Sequence, residues 1–251
     1  KSGGKRYFKP DNSITRAELS VIVWQVMSFD DYIHFSSHVL EKLDGVPVNR
    51  YDNAAFVKTD GRMEYVGGDR ASLAGVDVSS HQGTVDWAKV AADGIDFVII
   101  RCGGRYYGSG KVFEDKQFKS NIQGALDAGL QVGVYFFSQA ITPEEARQEA
   151  DYTLSLLESY PITCPVVYDW EPITFAEGAR TDQLEHEVLT QCAAAFCQRV
   201  AQAGYTPAVY FNQEMGYFSF DLKELSPFQF WLAEYDSYPS FYYGFTLWQY
   251  T

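Results

Sequence analysis

From residue 73 onwards, short apolar runs rich in Val, Ile, Phe and Tyr alternate with stretches of helical periodicity, and this alternation limits the possible folds more than any other feature. The strand-like runs are Gly75–Ser79, Phe97–Cys102, Val132–Phe137, Val166–Glu171, Ala208–Asn212, Phe230–Tyr235 and Phe245–Tyr250. The helical stretches lie near Trp87–Asp93, Asp115–Ala128, Pro143–Ser159 and Asp182–Ala203. Strands that are apolar along nearly their whole length are buried on both faces, so the pattern predicts an α/β fold with a parallel sheet covered by helices. The links between the last runs leave no room for full helices. That favours an irregular (β/α) barrel of TIM-like type over an open doubly wound sheet. Ser79-Ser80-His81-Gln82-Gly83 follows the first run where a nucleotide fold would carry a glycine-rich phosphate loop, which argues against such a fold.

The remaining residues read as a small, mostly helical N-terminal appendage. Within residues 1–30, Thr15 and Glu18 have capping-box spacing and open an apolar helix running towards Met27. Residues 31–72 have weak periodicity and turn-prone stretches at Tyr51-Asp52-Asn53, Thr59-Asp60-Gly61 and Gly67-Gly68-Asp69. They are expected to form a connector with one short helix around Ser37–Leu43.

Hydrophobic content of 46% supports a substantial core, and 18 Tyr and 5 Trp suit a carbohydrate groove. Residues 1–72 carry ten Lys/Arg and ten Asp/Glu, so the net charge of −13 falls entirely on the remainder. An acidic domain without a basic stripe argues against nucleic acid as a partner. Cys102, Cys164, Cys192 and Cys197 lack zinc or redox spacing and are expected to be free thiols. The four histidines do not cluster, so no metal and no cofactor is expected. No run of 18 apolar residues suggests a membrane span, and Lys1-Ser2-Gly3-Gly4 does not open a secretory signal. The expected state is a monomer.

In a parallel barrel the C-terminal strand ends form the active face. Here they offer Asp77 and Ser79, Arg101, then Tyr135, Phe137, Ser138 and Gln139, then Asp169 and Glu171. Tyr210 and Asn212 follow, then Trp231, Glu234 and Tyr235, and finally Trp248, Gln249 and Tyr250. Asp169 and Glu171 are one residue apart, so they share a face while Trp170 points away. Two carboxyls at the end of an apolar strand repel each other and lose solvation, which raises the pKa of one of them. A retained proton beside an ionised carboxylate is what acid-catalysed glycoside cleavage requires. The same residues have plainer readings. Asp77 could accept hydrogen bonds from the Ser79-Ser80 backbone or pair with Arg101. Arg101 could fix an acid, Trp231 and Trp248 could pack under the rim, and His81 could cap a turn.

Gly75-Val76-Asp77-Val78-Ser79-Ser80-His81-Gln82-Gly83, Val85-Asp86-Trp87, Phe97-Val98-Ile99-Ile100-Arg101, Gly133-Val134-Tyr135-Phe136-Phe137-Ser138, Asp169-Trp170-Glu171, Val209-Tyr210-Phe211-Asn212, Trp231-Leu232-Ala233 and Leu247-Trp248-Gln249-Tyr250 stand in order along residues 73–251. Together they resemble the family 25 glycoside hydrolases, lysozymes of the muramidase type. The resemblance implies cleavage of the β-1,4 bond between N-acetylmuramic acid and N-acetylglucosamine in peptidoglycan, by a protein that is secreted or associated with the cell wall. It implies Glu171 as general acid, Asp169 as the assisting carboxylate and Asp77 as a third acid. Tyr135, Phe137, Tyr210, Asn212, Trp231, Trp248, Gln249 and Arg101 would bind substrate. Three routes stay open: a carboxylate nucleophile, an activated water, or the substrate's own acetamido oxygen with Asp169 orienting the amide, the last being preferred. The family pattern continues past Trp-Gln-Tyr into an eighth strand with another acid, so the final strand is expected to be missing. Tyr7-Phe8-Lys9-Pro10-Asp11-Asn12-Ser13-Ile14-Thr15-Arg16-Ala17-Glu18 resembles half of an S-layer homology repeat, which implies wall polymers as a further partner. The rival readings are a non-catalytic wall-binding barrel and a glycosidase acting on another acetamido sugar polymer such as chitin.

Overall fold

A computed structural model describes residues 31–68 and 72–251. The chain divides into two compact units, residues 1–44 and 45–251. In the first, β1 (Tyr32–Phe35) pairs antiparallel with β2 (His38–Glu41). The helix expected around Ser37–Leu43 is therefore a strand. Ser36 at φ 54° makes a tight turn, and pairing across it outweighs the weak local periodicity. The helix expected within residues 1–30 lies outside the described residues.

The second unit opens with another antiparallel hairpin, β3 (Phe56–Thr59) and β4 (Arg62–Tyr65). Asp60 at φ 50° and Gly61 at φ 87° supply the two left-handed residues that a two-residue hairpin turn needs. There follow β5 (Gly75–Val78), α1 (Trp87–Ala92), β6 (Phe97–Arg105), β7 (Val112–Glu114) and α2 (Phe118–Asp127). Next come β8 (Gln131–Ser138), α3 (Pro143–Leu157), β9 (Val166–Trp170) and α4 (His186–Gln202). The chain ends with β10 (Pro207–Asn212), α5 (Gln213–Phe218), α6 (Leu222–Leu225), β11 (Gln229–Ala233) and β12 (Leu247–Gln249).

Seven parallel strands form one curled sheet in the order β12-β11-β10-β9-β8-β6-β5, and β7 adds antiparallel to β6. This is the irregular, TIM-like α/β architecture expected from the alternating pattern. Helix caps follow local chemistry. Thr142 accepts from Glu145 N at 3.2 Å ahead of Pro143, and Asp86 accepts from Lys89 N at 3.2 Å.

Parallel register puts paired residues on the same face, so a row forms across the sheet. Asp77 lies opposite Ile99, Tyr135 opposite Arg101 and Val167, and Asp169 opposite Phe137 and Tyr210. Tyr210 lies opposite Trp231, and Gln249 opposite Ala233. Below the acids this inner face is filled by Ile99, Val167, Ala208, Tyr210, Trp231 and Ala233, giving the site an apolar floor. The outer face, with Ile100, Val134, Phe136, Tyr168 and Phe211 all buried, is sealed by helices. Each such burial contributes about 1.5–3 kcal/mol.

Residues 45–67, expected as a connector, instead pack on the barrel. Gly244 N donates to Pro47 O at 2.7 Å, and Val48 bridges Tyr243. Phe56 sets its ring 5.1 Å from Trp248 on β12, and Arg62 pairs with Asp93 just after α1. The hairpin thus touches β12 at one edge of the sheet and the residue after α1, which follows the other edge strand β5. Among the described residues neither edge strand has a further strand partner.

Candidate active site

Two features place the acids. β9 is buried along its whole length, and it ends where Gln139 Nε2 donates to Glu171 O at 3.1 Å. Thr181 Oγ1 in turn donates to Gln139 Oε1 at 2.8 Å, so the chain leaving the strand is held from both sides. Asp169 is 5% exposed, while Glu171, one residue past the strand, reaches solvent. Half-buried Asp77 faces them from β5.

The electrostatics of the three acids follow from that placement. Burial pushes Asp169 well above the usual carboxylate range, and the charges of Glu171 and Asp77 push it further, with Arg101 opposing. Crowding around its carboxyl also raises Glu171, with Asp77 adding to the effect. Asp169 Oδ1 is buried, and no described residue donates a hydrogen bond to it.

Asp77 is held by Gln249, whose Nε2 donates to Oδ2 at 2.8 Å. Gln249 Oε1 accepts from the Tyr210 hydroxyl at 3.0 Å and the Tyr235 hydroxyl at 3.1 Å. Burial raises the Tyr210 hydroxyl far above its ordinary titration, with the Glu171 charge adding to it, so it stays protonated and donates. Burial likewise raises Tyr135, with the Asp169 charge reinforcing it.

Arg101 does not pair with Asp77. Its Nε donates to Asp115 Oδ2 at 2.7 Å and its Nη2 to Ser80 Oγ at 2.9 Å, so it clamps the loop after β5 while its charge still acts on Asp169. Burial opposes charge on Asp115. Donors from Gln117 N, Ser80 N and Arg101 overcome this and hold it below the usual carboxylate range. His81 lies in the short 3-10 turn Ser80–Gln82, capped by Ser79.

Of the residues expected to bind substrate, Tyr135, Phe137, Tyr210, Trp231 and Gln249 share the inner face with the acids. Trp231 lies at the floor, 6% exposed and edge-on to Tyr210 at 5.0 Å. Trp248 is turned away. It alternates with Gln249, rests on Phe56, and its Nε1 donates to Glu234 O at 2.8 Å. Asn212 caps α5, its Oδ1 accepting from Met215 N at 2.8 Å. Sequence reasoning did not find Asp115 or Thr181. Asp115 sits where a helix start was expected, and a cap and a buried ion-pair partner look alike in sequence. Among the described residues, no group of three or more His, Cys, Asp or Glu could hold a metal, and no helix is long and apolar enough to cross a membrane. All four cysteines are free.

Known proteins resemble this chain in sequence and fold. A family model described as "Glycosyl hydrolases family 25" covers residues 76–251. The autolytic lysozyme of Clostridium acetobutylicum is 28% identical over 116 residues, which are 46% of this chain and 32% of that protein. The chain thus spans about a third of the length of the curated relatives it matches. The modular autolysin LytC of Streptococcus pneumoniae shares the fold at a TM-score of 0.60 and 24% identity, over 88% of this chain and 57% of that one. A family 25 glycosyl hydrolase from Bacillus anthracis does so at 0.57 and 23%, over 75% and 83%.

Proposed function

The chain belongs to family 25 of the glycosyl hydrolases, and from that premise we propose that it is a lysozyme of the muramidase type. It cleaves the β-1,4 bond between N-acetylmuramic acid and N-acetylglucosamine in peptidoglycan, acting at the cell wall outside the membrane. The observation that carries this reading is the pairing of buried Asp169 with solvent-reaching Glu171, opposite Asp77 and above an apolar floor. A LytC structure holding a synthetic peptidoglycan ligand supports the substrate class, as does the lysozyme identity of the curated relatives.

Glu171 is the general acid. Its position at the solvent edge lets it reach a glycosidic oxygen, and its raised titration keeps a proton available. Asp169 is the orienting carboxylate. Its unpartnered Oδ1 needs a donor, and the N–H of a 2-acetamido group is one. In the free site burial draws the proton of the pair towards Asp169. An acetamido N–H on Oδ1 favours the ionised form and leaves the proton on Glu171. The acetamido oxygen then attacks the anomeric carbon as Glu171 protonates the leaving oxygen, and water opens the cyclic intermediate with net retention. Asp77 binds or polarises that water from across the mouth.

A non-catalytic wall-binding barrel has no use for an unpartnered carboxyl oxygen buried at some cost in desolvation. Residues 1–30 would add a contact to wall polymers. Wild-type protein is expected to clear a peptidoglycan suspension, and Glu171→Gln, with an unchanged melting temperature, is expected not to. Clearing by the variant at the wild-type rate would overturn the assignment.

A further inference from the structure

Gln249 shares the inner face with the acids, which would make it a natural ligand for sugar. Its amide, however, is already committed at both ends. Oε1 accepts from the Tyr210 hydroxyl of β10 and from the Tyr235 hydroxyl beyond β11, while Nε2 donates to Asp77 on β5. With both hydroxyls donating to Oε1, the amide has one orientation, and that orientation presents its N–H to the carboxylate. The bond to Asp77 spans 172 residues of sequence and joins the two edge strands of the sheet, which have no backbone pairing with each other.

We propose that Gln249 is a positioning residue: locked by Tyr210 and Tyr235, it holds the Asp77 carboxylate facing Asp169 and Glu171. This rests on the glycosidase reading for its consequence and on geometry for its cause. The groups facing Glu171 are Asp77 from β5, Asp169 on its own strand and Tyr210 from β10, with Tyr235 beside Tyr210. Tyr135 and Arg101 act on the neighbouring Asp169. Asp77 is the charge among them that an outside tether aims. Releasing it removes negative charge from beside both carboxyls, so the Asp169–Glu171 pair gives up its proton at lower pH.

The test compares wild type with Gln249→Met, which keeps the side-chain length and removes both halves of the relay. The alkaline limb of the kcat/KM profile is expected to move down by about half a pH unit or more, and kcat to fall about tenfold with KM within about twofold. Tyr235→Phe removes one of the two donors from an exposed position and is expected to shift the limb in the same direction by less. It decides the matter alone if Gln249→Met does not fold. A limb that stays put in the folded variants while KM rises severalfold would make Gln249 a substrate ligand and overturn the proposal, as would no change at all. A carboxyl NMR titration of Asp169 and Glu171 together in substrate-free protein reads the same displacement of their shared proton without turnover. A wild type that releases no reducing ends would sink the glycosidase reading alone.

Discussion

At the scale of single residues, the site depends on one strand ending in two carboxyls with different surroundings. Asp169 is buried and Glu171 is not, and the proposed division of their roles rests on this asymmetry, which Asp-Trp-Glu alone does not give. The proposed general acid catalysis needs the proton that Asp169 and Glu171 share, so activity is expected to be lost as pH rises through the raised titration of the pair. The alkaline limb of kcat/KM is therefore expected above 4.5, the ordinary value for a glutamate, as a rate profile from pH 3 to 9 would show. Asp169→Asn keeps an acceptor oxygen but not the charge that steadies the polarised amide. It is expected to cut kcat by about 10²- to 10³-fold with little change in KM, measured with a soluble glycan oligomer. That positions 169 and 171 share a face was legible in sequence, because side chains alternate with period two along a strand. The hold on Asp77 was not, because Gln249 and Asp77 lie at opposite ends of the barrel sequence and meet only when the sheet curls.

At the scale of elements, the seven parallel strands and four main helices were legible from apolar runs and their spacing. Boundaries moved where tertiary contacts overrode local pattern. β6 runs on to Arg105 because β7 pairs with its end, and α4 starts at His186 because Arg180 and Thr181 are tied elsewhere. Those ties belong to a buried network behind the site. Arg105 Nε donates to Glu149 Oε1 at 2.6 Å, Ser138 Oγ donates to Glu149 Oε2 at 2.6 Å, and Arg180 pairs with Glu145 at 2.8 Å. Burial pushes Glu149 up to about 7, with Ser138 and Arg105 opposing. The network joins the end of β8 to α3 and to the loop after Glu171. Arg105→Leu strands Glu149 in the interior and is expected to cost about 3–5 kcal/mol in a denaturant titration.

At the scale of the whole molecule, residues 45–67 count as part of the barrel unit although the family match begins at residue 76. The Asp-Gly turn between two four-residue runs was the available signal for β3 and β4. The aromatic seam of Tyr51, Phe56 and Tyr65 against Phe245 and Trp248 was not readable, since nothing in sequence says which rings meet. Phe56→Ala is expected to lower stability by about 2 kcal/mol, less than for a fully buried Phe because this residue is only partly buried, as thermal unfolding would register. The hairpin, the curled sheet and the three acids make one account only if the protein cuts the glycan where the site implies. Analysis of the sugar at the new reducing ends, after digestion of purified peptidoglycan, tests that most directly. The account predicts N-acetylmuramic acid at those ends; N-acetylglucosamine there, or no new ends, would contradict it.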